Sequence, residues 1–366
     1  MLTTFGGAEH VLAEFCTLFP GAPLFTTVAR PEALGRLGAK DIRTTRLQPW
    51  YRMLRNHQML LPWMPAALEE SDVRGYDVLL SSSHAIGKAL IPASGTLHIC
   101  YCHTPMRYAW EMEEQYLDDF RIPKFLRPRL RRMLAKLRRW DLTSAKRVDF
   151  FIANSKTTQE RIKRIYARDS IVIPPPVDDR FFHQPANQLT RNQLTPYFLA
   201  VGRLVPYKRF DLLIAAANEL QVPLSIAGTG QEMQRLRTLA GPTVRFLGFV
   251  PDADLPALYT GAKAVLFPQE EDAGIVLREA LACGTPVIAY KAGGATEVID
   301  DGKNGLFFDH QTKESLIDVL RRFLKIHFDH ETIRESAESF SRKEFQEQIR
   351  GTVEGAWADF HNTQLR

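Results

Sequence analysis

The stretch Phe267 to Tyr290, FPQEEDAGIVLREALACGTPVIAY, decides how the rest of the chain is read. It starts at the end of an apolar run, Ala264 to Phe267, with the length of a buried strand. An acidic loop and a glycine-containing turn lead into a helix beginning near Ile275, and a second strand, Pro286 to Tyr290, follows. Ligands of open α/β sheets lie outside the carboxyl ends of the strands. A helix starting there, at Gly274, Ile275 and Val276, offers N–H groups without intrahelical partners, which suit a phosphate. Glu271 on the loop and Glu279 inside the helix, with seven residues between them, present two carboxylates to one cavity. A phosphorylated ligand bearing several hydroxyls fits this arrangement.

An isolated pair of glutamates is usually a pair of solvated charges. This one resembles the glutamate, seven residues, glutamate signature of retaining glycosyltransferase family 4 (glycosyl transferases group 1), whose members have the GT-B fold. The chain departs from the pattern at Ala273, where an aromatic is usual, and at Leu277, where a proline is usual; neither touches a carboxylate. The resemblance implies an α/β protein of two Rossmann-like doubly wound domains facing across a cleft. It also implies a nucleotide-sugar donor, with Glu271 on the donor-sugar hydroxyls and Glu279 on the ribose.

At 366 residues and 45% hydrophobic, the chain has the length of two ordinary domains. No apolar run is long enough to span a bilayer and no signal peptide opens the chain, so a cytoplasmic protein is expected. Cys16, Cys100, Cys102 and Cys283 have neither zinc nor disulfide spacing and read as reduced core thiols.

Gly6 and Gly7 open a helix with an apolar face of Val11, Leu12, Phe15, Cys16 and Phe19. In the family this turn follows a central first strand and its backbone approaches the donor diphosphate. Only five residues precede it here, so the expectation is a misplaced start and a sheet without its first strand. Strands are expected at Asp77 to Leu80, Leu97 to Tyr101, Asp149 to Ala153 and Ser170 to Ile173, with Asn154 and Ser155 as helix caps. His84 and His103 fall at strand carboxyl ends, where a histidine is often structural. The HTP at residues 103–105 resembles the family's donor-sugar or acceptor-side histidine, which implies a catalytic His103 with Arg107 and Trp110 bordering the acceptor. The N-terminal domain is expected to span residues 1–180.

Residues Arg121 to Arg147 hold 11 Lys or Arg against one acid, Asp141; this local charge of +10 in a chain of +5 leaves −5 for the remainder. Leu126, Leu130, Met133, Leu134 and Leu137 recur at helical spacing among the arginines, a basic amphipathic helix. Such a helix either packs on its domain with a solvated charged face, or lies on anionic cytoplasmic lipid, where each basic residue contributes about 1 kcal/mol. Nucleic acid is disfavoured, because aromatic interleaving ends at Trp140 and the rest of the chain is acidic.

From Val177 to Pro196 the composition suits a linker, and the strand Tyr197 to Val201 opens a second domain, residues 181–338. Arg203 and Lys208 sit on the loop that follows, five residues apart before a helix, where two cations can converge on a diphosphate. The family places its diphosphate-binding arginine and lysine at these two positions. Further strands are expected at Leu224 to Ala227 and Val244 to Leu247. Gly228 and Gly230 lack the third glycine of a dinucleotide fingerprint, and the resemblance implies base contacts from Gly248, Phe249 and Val250 instead. Asp252 and Asp254 read as a helix start with a capping Asp, not as a metal site. The glycines of Lys291 to Thr296 suit a turn approaching ligand. Ser341 with Glu344 makes a capping box, and Phe340 with Phe345 a hydrophobic staple, for a last helix. The resemblance implies that this segment, residues 339–366, crosses back onto the N-terminal domain.

The activity expected from the resemblance is retaining transfer of a sugar, mannose from GDP-mannose, to a lipid-linked or oligosaccharide acceptor of a bacterial envelope polysaccharide. The YCHTPMRYAWE segment supplies the likeness to mannosyltransferases. No cofactor or metal is expected, and the protein would attach peripherally to the inner face of the plasma membrane. A UDP-sugar donor, a GT-B nucleotide-sugar epimerase and a non-catalytic nucleotide-sugar-binding subunit are the alternatives.

Overall fold

Every strand pairing between the named strands is parallel, and the central strands Leu97–Cys102, Leu224–Ala227 and Val287–Tyr290 accordingly read as buried runs and not as alternating ones. The structure, a computed structural model, describes residues 1–3, 6–111, 113, 123–183 and 196–364. They form two compact units, one of Met1–Pro175 with Phe345–Arg366 and one of Pro176–Glu344.

The first unit contains β1 (Leu24–Thr26), β2 (Ile42–Thr44), β3 (Val78–Ser83), β4 (Leu97–Cys102), β5 (Phe150–Ala153) and β6 (Ser170–Val172). β3 to β6 make one four-stranded sheet in sequence order, and β1 and β2 make a separate pair. Leu2 forms a parallel bridge to Ala29. Between β1 and β3 lies a cavity of about 500 Å³ whose walls include Leu12, Phe15, Phe25, Val78 and Leu80. One face of the sheet is covered by the helix Gly7–Leu18 through Val11 and Phe15, and by the helix Arg342–Gln364 through Phe345, Ile349 and Val353. Phe15 stacks on Phe345 at 6.1 Å, and Glu14 accepts a hydrogen bond from Gln346 at 2.6 Å.

The helix Arg127–Ala145 turns its apolar stripe inward. Leu134 is buried, and Leu130, Leu137 and Trp140 pack beside it against the unit's core, while Arg129, Arg132, Lys136 and Arg139 are exposed. Most of the apolar stripe is therefore covered by protein, whereas Phe125 and Leu126 at its start and the charged face are exposed. Arg121 and Ile122 lie outside the described residues.

The second unit holds β7 (Tyr197–Val201), β8 (Leu224–Ala227), β9 (Val244–Gly248), β10 (Ala262–Phe267), β11 (Val287–Tyr290) and β12 (Gly305–Phe308). Their spatial order is β9-β8-β7-β10-β11-β12, the doubly wound order in which the direction of strand addition reverses between β7 and β10. The boundaries differ from those expected, because the Val177 N–H donates to the Phe340 carbonyl at 2.8 Å and Val177 bridges Ser341. Both crossing segments thereby stay in the second unit, and Val177 and Phe181 belong to its core instead of a linker. Residues 184–195 lie outside the described residues. The expected staple does not form: Phe340 packs with the second unit's core under the Arg278 guanidinium, 4.7 Å from its ring centre, whereas Phe345 packs in the first unit. The Ser341 hydroxyl does cap, accepting from the Glu344 N–H at 3.4 Å.

Candidate active site

The reversal in strand order opens a crevice at the carboxyl ends of β7 and β10, and the sequence puts its charged loops there. After β7 the chain passes through Gly202 and Arg203 to a 3-10 turn at Pro206–Lys208. Gly202 has φ 153°, and a Cβ on it would stand 3.0 Å from the Lys208 ammonium, so the lysine lies across a residue that has no side chain. After β10 comes the acidic loop, and there Lys208 Nζ meets Glu271 Oε1 at 2.7 Å. Lys208 is only 8% exposed. Burial alone would depress its pKa, but the charges of Glu271 and Tyr207 outweigh it and hold the ammonium above its ordinary value. Arg203 is exposed and carries no ion pair among the described residues, yet it is close enough to act on Lys208.

Gly274, left-handed at φ 61°, ends the acidic loop and begins the helix Ile275–Ala282, whose first N–H groups have no intrahelical partner. About one turn of the helix then carries Glu279 inward, where the Tyr259 hydroxyl donates to its Oε2 at 2.7 Å. Burial raises the Glu279 carboxyl to about 7, against the opposing pull of the Tyr259 hydrogen bond. Asp252 raises it further and Arg180 lowers it. A second side of the crevice is the turn after β9, where Gly248 has φ 70° and Phe249 stands 75% exposed, an unpartnered aromatic face. Val250 is partly buried against the core.

The glycines at Gly293 and Gly294 pack against the acidic loop. The Gly294 N–H donates to the Glu271 carbonyl at 2.7 Å, and a Cβ there would come within 2.3 Å of the Asp272 carbonyl oxygen. They seat the acidic loop and so aim the Glu271 side chain. Gly228 similarly lets the loop after β8 lie against the loop after β7, since its Cβ would be 1.9 Å from the Gly202 carbonyl oxygen. Sequence reading missed both contacts; a pair of glycines after a strand signals close backbone approach, but not to what. Asp254 does precede the helix Leu255–Gly261, but its side chain makes no capping bond, for its backbone is already helical and Pro256 at the second position has no N–H to offer. Among the described residues no group of three acidic, His or Cys side chains is placed to hold a metal ion.

Gly6, Gly7 and His103 belong to the first unit. Gly6 is extended and its N–H donates to Glu9 at 3.1 Å, fixing the start of the helix Gly7–Leu18. His103, just past β4, shares a hydrogen bond of 2.8 Å between its Nε2 and the Ser82 hydroxyl, and packs edge-on to Tyr101. Burial and, secondarily, His84 lower its pKa to about 3, so near neutrality it is an uncharged imidazole.

Two parallel α/β units, of which the second is a doubly wound sheet carrying a lysine, a glutamate and a helix N-terminus at its switch point, are the GT-B architecture. Residues 5–181 match the model "Glycosyltransferase Family 4" and residues 184–342 match "Glycosyl transferases group 1", and the chain belongs to the GT-B glycosyltransferases of that family. The Mannosylfructose-phosphate synthase of Agrobacterium fabrum is 30% identical over 300 residues, 71% of this chain and 64% of that protein. The GDP-mannose-dependent alpha-(1-6)-phosphatidylinositol monomannoside mannosyltransferase of Mycolicibacterium smegmatis is 35% identical over 181 residues, 42% of this chain and 47% of that protein. The chain thus spans less than two thirds of the length of the first and about half of the second. In fold it is similar to Anabaena Alr3699/HepE, solved in complex with UDP, with a TM-score of 0.71 at 19% identity over 96% of each chain.

Proposed function

We propose that the protein is a retaining hexosyltransferase that moves mannose from GDP-mannose to a lipid-linked or oligosaccharide acceptor of an envelope polysaccharide. The observation that carries this reading is the buried Lys208–Glu271 pair at the switch point, with Arg203 unpaired beside it. A donor's diphosphate brings the negative charge that Arg203 lacks and that Lys208 now takes from Glu271. Once Lys208 turns to the diphosphate, Glu271 is released to accept hydrogen bonds from sugar hydroxyls. The N–H groups at Gly274, Ile275 and Val276 add the helix dipole to the same charge. Glu279 takes the ribose and Phe249 stacks on the base. Both cations then stabilise charge that grows on the leaving diphosphate, the electrostatic contribution that is usually the largest in catalysis. With no covalent nucleophile assigned, the acceptor attacks on the face from which the diphosphate departs, and a phosphate oxygen receives its proton.

The curated mannosyltransferase relative favours GDP-mannose. A UDP-sugar donor is the second reading, favoured by the UDP in the solved Anabaena protein. Nucleoside diphosphate release, measured across a panel of nucleotide sugars, tests both. GDP-mannose should turn over fastest; preference for a UDP-sugar would replace the donor, and no release from any donor with any glycan acceptor would overturn the activity.

A further inference from the structure

The helix Gln48–Leu54 in the first unit borders a cavity outside the site just described. Gln48, Tyr51 and Arg52 recur at helical spacing on one side of it, and Arg55 continues the row one turn later. All four line a cavity of about 750 Å³ beside the residues that follow β1 and β2, the edge at which parallel α/β sheets receive ligands. Arg30 enters from the opposite wall. Its Nε donates to the Tyr51 hydroxyl at 2.6 Å and its guanidinium lies 5.9 Å over the Tyr51 ring, so it is held in place with donors to spare. Arg52 and Arg55 carry no ion pair among the described residues, and Arg55 is fixed in the left-handed region at φ 52°. Among the described residues Glu32 is the only acid on the wall, against three guanidinium groups. The sequence holds no Asp or Glu from Ile42 to Leu68.

Three arginines facing one open volume, two of them unpaired, cost electrostatic free energy that a multivalent anion would remove. Guanidinium forks suit phosphate oxygens in particular. We propose that this cavity binds the phosphate or diphosphate group of the acceptor, a second anion site separate from that of the donor. It rests on the proposed transfer to a lipid-linked or oligosaccharide acceptor and on the expectation that Arg107 and Trp110 of the first unit border that acceptor, but its test measures binding and needs no turnover. The opposite face of the same helix exposes Trp50 and Met53, at 58% and 65%, side chains suited to a membrane surface. The phosphate can therefore come from a soluble ester or from a lipid.

Glycerol 3-phosphate binding by calorimetry, and flotation with vesicles containing phosphatidic acid, distinguish the two sources. Both are measured on an Arg203→Ala background, in which the donor site has lost its free cation. Replacing Arg52 and Arg55 together by Gln should weaken the binding about 100-fold, roughly tenfold for each charge-assisted contact. Binding of the free ester assigns a soluble acceptor, and binding of vesicles alone assigns a lipid-borne one. Binding of either probe that survives the double substitution, or no binding of either, overturns the site. Arg52→Gln alone, a change at an exposed side chain, should lower affinity about tenfold and repeats the test without disturbing the fold.

Discussion

Glu271→Ala separates the two tasks of the Lys208–Glu271 pair. A carboxylate on a loop could be removed with little effect on folding, but this one is 2.7 Å from an ammonium, and the two side chains are only 20% and 10% exposed. Deleting one partner of a buried pair leaves the other charge uncompensated, which costs 3–5 kcal/mol when burial is complete. With the remaining exposure, about 3 kcal/mol is expected for Glu271→Ala and about the same for Lys208→Met. In a unit of this size each kcal/mol lowers Tm by about 2–4 °C, so each variant should melt roughly 6–12 °C lower. The double variant Lys208→Met/Glu271→Leu removes both charges and keeps the volume, and should recover to within about 1 kcal/mol of the parent. The measurement is a double-mutant cycle by calorimetric melting, with nucleoside diphosphate release assayed in parallel. All three variants should lose transfer although the double variant is nearly as stable as the parent. Single losses that add in the double variant to within about 0.5 kcal/mol would show two independent residues and refute the reasoning.

Arg203→Ala should leave folding stability within about 0.5 kcal/mol of the parent, the side chain being exposed and without an ion pair among the described residues, and slow transfer about 100- to 1,000-fold; a rate near that of the parent would place the diphosphate elsewhere. Glu279 is protonated in the folded state up to about pH 7 but ionises in the unfolded chain near its ordinary value of 4.5. The folded protein therefore holds the extra proton, and this contribution to stability is complete below 4.5 and disappears as pH rises through 7. Glu279→Gln should flatten the fall in melting temperature across that window, and an unchanged slope would disprove the assignment. A chelator should leave transfer unaffected, and strict dependence on an added divalent metal would contradict the charge-stabilising roles given to Arg203 and Lys208.

What could be read in the chain was what local pattern determines. The strands from Tyr197 to Val201 and from Leu224 to Ala227 have the bounds their apolar runs suggest, and Ser155 accepts the Thr158 N–H as a cap residue should. β1, β2 and β12 went unread, since three or four residues such as IRT or GLFF carry too little periodicity to separate them from loop. Non-local contacts were beyond reach in a different way. The spacing puts Glu271 on a loop and Glu279 in a helix, but nothing in the spacing shows that Lys208, 63 positions earlier, sits against Glu271. The same applies to Phe340 and Phe345, whose near-ideal staple spacing is overridden because the boundary between the two units falls between them.

The pairing of Glu14 with Gln346, 332 positions apart in the chain, has a bearing on biosynthesis. The core around Phe15 and Tyr101 is finished by Phe345, Ile349 and Val353, which the ribosome delivers after the whole of the second unit. The second unit is contiguous in sequence and can fold while synthesis continues, but the first must wait, its apolar sheet face uncovered, until Phe345, Ile349 and Val353 have been made. A nascent chain stalled after Glu344 would carry a native second unit behind an aggregation-prone, protease-sensitive first one. Losing residues 345–366 would therefore damage the unit of residues 1–175 more than the unit that directly precedes them in the chain.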